Sequence, residues 1–190
     1  TSGAMGYGLP AALAAKVVHP EREAICFAGD GCFLMSGQEL ATGVQYRLGV
    51  IVIVVNNGMY GSIRMHQEKE YPGRVHATML ENPDFVALAQ AYGAFGELVE
   101  STEAFGPALA RARAYAGQQR KPALIELRVD GDMVLSVSDN GVGMPAAGTA
   151  TKGIGSKIVA LLAQQLDATL TYEQAQPGCR VVLRMRKPKL

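Results

Sequence analysis

Two short stretches bring oxygen donors and glycines together at a spacing suited to metal-assisted phosphate binding. Asp30 lies between Gly29 and Gly31 at the end of one apolar run, and Asn56-Asn57 closes a second. The intervening residues 32–55 hold one helix and one strand, so the two runs read as neighbouring strands of one βαβ unit. In a parallel sheet both runs end at the same edge, where α/β proteins place their ligands. Magnesium takes about six oxygens in tight octahedral geometry and uses only one or two carboxylates plus phosphate oxygens. One aspartate, one asparagine carbonyl, one main-chain carbonyl and two phosphate oxygens meet that need. Gly29 and Gly31 let the backbone approach a diphosphate, and the N–H groups of Gly31, Cys32 and Phe33 are placed to face it. Gly-Asp-Gly or Asn-Asn-Gly alone is an ordinary turn signal. Their pairing, each after a buried strand, is what favours a site.

A second group of residues has different chemistry. Asp139-x-Gly141-x-Gly143 follows an apolar segment, and Gly153-x-Gly155 opens an apolar helical segment. By residue type alone these read as a β-turn and a second glycine turn.

The elements that must position these residues alternate through most of the chain. A small-residue helix follows the glycine-rich start and stops at His19-Pro20, since the residue before proline avoids the helical region. Strands are expected over 24–28, 50–55, 95–99 and 122–129. The second is six β-branched residues in a row, the pattern of a strand buried on both faces. Ser36-x-x-Glu39 reads as a capping box opening a helix to about Leu48. Residues 58–79 read as a long polar loop, with or without a short helix. Asn82-Pro83-Asp84 starts the next helix with proline at its first position, and Ser101-Thr102 caps another. The alternation implies an α/β fold with a parallel sheet covered by helices on both faces. After Asp130 the pattern changes to α+β: a strand over 133–138, a helix over 156–166 and paired strands over 168–172 and 180–185. The expected division is 1–130 and 131–190.

Composition sets the bounds. The 190 residues are 48% apolar and 18% charged with net charge +1, which describes a globular chain with no broad electrostatic case for nucleic acid or an anionic membrane. No apolar run approaches the ~20 residues of a membrane span. The three cysteines, Cys26, Cys32 and Cys179, are widely spaced and suggest neither a disulfide framework nor a zinc site, which fits a reducing, cytoplasmic setting. His66 and His76 read as surface residues, and Arg64 as a candidate for a substrate carboxylate.

Over 1–130 the sequence resembles the cofactor-binding domain of thiamine-diphosphate-dependent enzymes, in the acetolactate synthase-like branch. The resemblance rests on Gly3-Ala4-Met5-Gly6-Tyr7-Gly8-Leu9-Pro10, Gly29-Asp30-Gly31, Gln38-Glu39-Leu40 and Asn56-Asn57 with Gly61. It implies that Asp30 and Asn57 bind Mg2+ by side chain and Met59 by its carbonyl. It also implies that the Gly3 carbonyl and Met5 N–H hold the aminopyrimidine, with the Met5 side chain propping the cofactor in a bent form. Cys32 stands where the family more often has serine or alanine, a change that leaves the backbone N–H in place. The implied reaction is decarboxylation or carboligation of a small 2-keto acid in a homo-oligomer. The family's catalytic glutamate comes from a separate domain, so no catalytic residue is assigned here, and half a site with little turnover is expected.

Over 131–190 the run DNGVGMP through KGIGSKIVALLAQQL to PGCRVVLRM resembles the ATP-binding domain of sensor histidine kinases. That resemblance implies Asp139 on the adenine amino group, Gly141 and Gly143 beside the base, and Gly153 and Gly155 at the phosphates of ATP. The magnesium-binding asparagine helix and the phospho-acceptor histidine have no counterpart, which argues against hydrolysis or phosphotransfer. The two resemblances together lead to the expectation of two partial domains joined near Asp130. The competing readings are an ATP-binding regulatory module and a chimera with neither activity.

Overall fold

The computed structural model describes residues 4–129, 133–138, 168–174 and 179–185. The chain divides into two compact units, Thr1–Val129 and Asp130–Leu190.

The first unit is built on a four-stranded parallel sheet in the order β1-β2-β4-β3, from β1 (Ile25–Gly29), β2 (Ile51–Asn56), β3 (Phe95–Val99) and β4 (Ala123–Arg128). The β-branched run behaves as its composition requires. Val52 and Val54 pack on one face of the sheet, and Ile51 and Ile53 on the other. The first face is covered by α1 (Gly8–Val18) and α5 (Phe85–Ala91), with Leu9, Leu13, Phe33, Leu40 and Phe85 in its core. The second is covered by α6 (Thr102–Gln119), which lays Ala108, Ala112 and Ala116 at four-residue spacing against Ile51, Ile53 and Ile125. The small alanines let this helix sit close to the sheet. Register aligns Gly29 with Val55 and Val55 with Leu127, so β1, β2 and β4 end at one edge.

Several local expectations change. Residues 30–34 form a helical turn, α2 (Asp30–Leu34). Ser36 caps nothing with its side chain, and the Glu39 carboxylate accepts instead from Thr42 Oγ1 at 2.7 Å. The capping box therefore does not form. The segment splits into a 3₁₀ turn, Gly37–Glu39, and α3 (Leu40–Gln45), which stops where Arg47 turns to φ 55°. The polar stretch after Asn57 contains a ten-residue helix, α4 (Gly61–Glu70), braced by an Arg64–Glu68 pair one turn apart. Asp84 caps α5 by accepting from Ala87 N, which puts Pro83 ahead of the cap rather than inside the helix. Ser101 caps α6 as expected, accepting from Ala104 N.

In the second unit β5 (Met133–Ser138), β6 (Ala168–Gln174) and β7 (Cys179–Met185) form an antiparallel sheet in the order β5-β7-β6. The helix expected over 156–166 lies outside the described residues, as do Asp139, Gly141, Gly143, Gly153 and Gly155.

Candidate functional site

At the carboxyl edge of the first sheet, Asp30 is only 2% exposed and both its oxygens are held. Oδ1 accepts from Gly31 N at 2.8 Å. Oδ2 accepts from Gly58 N at 2.8 Å and from Asn82 Nδ2 at 2.7 Å. The Gly58 bond ties the end of β1 to the turn after β2, which brings Asp30 to the chain segment carrying Asn57 and Met59. Gly58 makes this turn at φ 67°, a conformation that favours glycine. Asn57 Oδ1 accepts from Met59 N at 3.2 Å, and the Met59 carbonyl accepts from Gly61 N at 2.9 Å. Each of these oxygens keeps a further lone pair. The site thus offers a carboxylate, a side-chain amide oxygen and a main-chain carbonyl. Among the described residues there is no group of three or more His, Cys, Asp or Glu that could hold a metal. A single carboxylate with neutral oxygens is the donor set of a hard cation that also carries phosphate.

Around this cluster the glycines differ in purpose. A Cβ on Gly29 would meet nothing within 4 Å, so the backbone there is open to a bulky neighbour. A Cβ on Gly31 would collide with the Tyr60 ring, so this glycine serves the packing of Tyr60 over α2. Of the three N–H groups expected at a diphosphate, Gly31's is engaged by Asp30. Phe33's, at the fourth helical position, closes the first helical bond to the cap residue Gly29. Cys32 N–H is the one neither bond takes. The Phe33 side chain is core, edge-on to Phe85 with ring centroids 5.4 Å apart. Met5, 36% exposed, precedes a turn in which Gly6 takes φ 78° against Met35. Gly3 lies outside the described residues.

Two participants escaped the sequence reading. Asn82 looked like a helix-start residue, yet its amide nitrogen lies on Asp30 and, at 2.8 Å, on Asn56 Oδ1. Glu126, 2% exposed on β4, accepts from Asn56 Nδ2 at 2.8 Å. A lone carboxylate inside a buried strand run was the available signal for Glu126. For Asn82 there was none. Arg64 is 5% exposed, its Nε on Glu68 at 2.8 Å and its Nη1 on Met79 Sδ at 3.0 Å, which fixes α4 to the loop behind it. His66 and His76 are exposed. Among the described residues, no helix is long and apolar enough to cross a membrane.

Comparison with known proteins bears on the family and the fold. Residues 1–127 match the family model "Thiamine pyrophosphate enzyme, C-terminal TPP binding domain". An acetolactate synthase of Arthrospira platensis is 42% identical over 132 residues, covering 68% of this chain and 22% of that protein. The acetolactate synthase large subunit of Pyropia yezoensis is 37% identical over 167 residues, 82% of this chain and 28% of that protein. Among solved structures, a thiamine diphosphate-dependent 4-hydroxybenzoylformate decarboxylase of Rhodococcus jostii RHA1 superposes with a TM-score of 0.61 at 35% identity, over 66% of this chain and 23% of that one. The chain therefore spans about a quarter of the length of these relatives. With its parallel sheet, flanking helices and matched residues, the chain belongs to the family of thiamine pyrophosphate enzyme C-terminal TPP-binding domains.

Proposed function

We propose that this chain binds thiamine diphosphate through Mg2+ and serves as the cofactor domain of an acetolactate synthase-like enzyme acting on a small 2-keto acid. The observation that carries the reading is the Asp30 carboxylate, held at the joined ends of β1 and β2 by Gly31 N, Gly58 N and Asn82. Asp30, Asn57 Oδ1 and the Met59 carbonyl would hold the metal. The open backbone at Gly29 and the Cys32 N–H would meet the diphosphate, and the Met5 N–H the aminopyrimidine, with the Met5 side chain propping the cofactor in its bent form. When bound, thiamine diphosphate supplies a stabilised carbanion for breaking and making the bond next to a carbonyl. The chain's own contribution is to fix the metal and orient the diphosphate. The proton-handling glutamate would come from another domain of a homo-oligomeric enzyme, so cofactor binding with little turnover is the expected behaviour of this chain. ATP is left out of the proposal, since no described residue bears on Asp139 and its glycines.

Calorimetric titration of thiamine diphosphate with and without Mg2+ tests this. Metal-dependent uptake is expected, and Asp30→Ala should reduce it at least a hundredfold. No heat with the unaltered chain, or equal affinity in the variant, would overturn the proposal.

A further inference from the structure

Asp30 stands at one end of a chain of side-chain hydrogen bonds whose polarity is fixed from the other end. Glu126 and Asp30 are both buried, and each carboxylate takes its hydrogen bonds as an acceptor. Asn56 must therefore turn Nδ2 toward Glu126, as it does at 2.8 Å. That leaves Asn56 Oδ1 facing the other way, where Gly58 N at 3.2 Å and Asn82 Nδ2 at 2.8 Å donate to it. Asn82 has two amide hydrogens. One goes to Asn56 Oδ1 and the other to Asp30 Oδ2, at 2.7 Å. Both amide orientations follow from the one carboxylate on β4, and a flip of either would place oxygen against oxygen. Asn82 Oδ1 is buried without a partner, so its orientation is kept at the expense of its own acceptor. Arg128 Nη2, 3.5 Å from Glu126 Oε1, steadies the far end.

We infer that Glu126, Asn56 and Asn82 form a positioning relay that fixes the rotation of the Asp30 carboxylate and so sets the size of the metal seat. The inference rests on the metal role proposed for Asp30. None of the three relay residues is assigned to the metal itself. Partners of this kind typically change metal affinity 10- to 100-fold. A rigid seat matters most to Mg2+, which demands near-octahedral geometry at about 2.0–2.1 Å, and least to Ca2+, which accepts irregular geometry at about 2.3–2.6 Å. Loosening the relay should therefore weaken Mg2+-supported cofactor binding more than Ca2+-supported binding. A residue that merely stabilises the fold would weaken both alike.

The test uses Asn82→Leu and Glu126→Gln beside the unaltered chain and Asp30→Ala. Thiamine diphosphate is titrated by calorimetry with Mg2+ and separately with Ca2+. Both relay variants are expected to lose at least tenfold with Mg2+ and markedly less with Ca2+. The second readout is the side-chain amide signal of Asn82 in 1H–15N spectra, assigned by its loss in Asn82→Leu or, should that variant not fold, by its response to Asp30→Ala. Glu126→Gln should shift that signal even though Glu126 does not touch Asn82, because hydrogen bonds in a chain polarise one another. An unmoved signal overturns the relay, as does Mg2+ binding unchanged in Glu126→Gln. If the unaltered chain takes up no cofactor, the metal role of Asp30 falls, and the amide signal still decides whether the relay exists.

Discussion

Single residues at the carboxyl edge and along β1 respond to their surroundings in ways that can be measured. Cys26 is 3% exposed, and its sulfur blocks any side chain at Gly8. Burial, with a smaller contribution from nearby Cys32, pushes its thiol from 9.0 up to about 11. Below pH 9 the thiol is protonated in both folded and unfolded chains and stability does not depend on it. Between pH 9 and 11 the unfolded chain releases the proton while the folded chain keeps it, so stability falls across that window, by a few kcal/mol in all. Cys26→Ala should flatten this alkaline decline relative to the unaltered chain, as read from urea midpoints between pH 8 and pH 11. Equal slopes would remove Cys26 as the cause. The burial of Cys26 was legible, since a cysteine inside an apolar strand run packs as a small hydrophobe. Asp30 and Asn57 were legible because glycine and asparagine after strands carry a local signal. Asn82 was not, because Asn-Pro-Asp before an apolar segment already has a sufficient local explanation in the start of α5. Its bonds to Asp30 and Asn56 join residues 52 and 26 positions away, a distance that periodicity and capping rules do not reach.

At the scale of elements, the sheet was readable wherever burial imposed a composition. The β-branched run of β2 and the Ser101 cap of α6 appear where their chemistry places them. Two segments were less legible, for different reasons. Helix α4 carries mostly polar side chains and no apolar stripe, so nothing in its period announced a helix, and its stability comes from the Arg64–Glu68 pair and the buried Arg64 stem. The capping box at Ser36 had the right letters, but Glu39 was drawn to Thr42 on the following turn. Close approach of elements sets the next prediction. A Cβ on Gly49, just before β2, would run into the backbone carbonyl of Ala116 near the end of α6. Backbone cannot move aside as a flexible side chain can, so α6 would have to lift from Ile51 and Ile53. Gly49→Ala should cost about 1–3 kcal/mol, seen as a lower urea midpoint with an unchanged denaturant slope. Gly106→Ala, where the added methyl meets nothing within 4 Å, is the control and should not lower the midpoint.

For the whole molecule, the division after Val129 separates two kinds of architecture, a parallel α/β sheet and an antiparallel one. Every residue proposed for the metal, the diphosphate and the relay lies in the first unit: Gly29, Asp30, Cys32, Asn56, Asn57, Met59, Asn82 and Glu126. That unit holds a core on each face of its sheet, so it carries what a domain needs to fold alone. Residues 1–129, expressed without the remainder, should therefore give a cooperative thermal transition and bind thiamine diphosphate with Mg2+ as tightly as the full chain. The TPP-binding family model matches residues 1–127. Calorimetric titration of the two chains side by side checks this. A shortened chain that folds but binds at least tenfold more weakly would assign residues 130–190 a part in cofactor binding. A shortened chain that fails to fold would make the parallel sheet dependent on the segment after it. Equal affinity would place the whole binding apparatus in the sheet edge where β1, β2 and β4 end together.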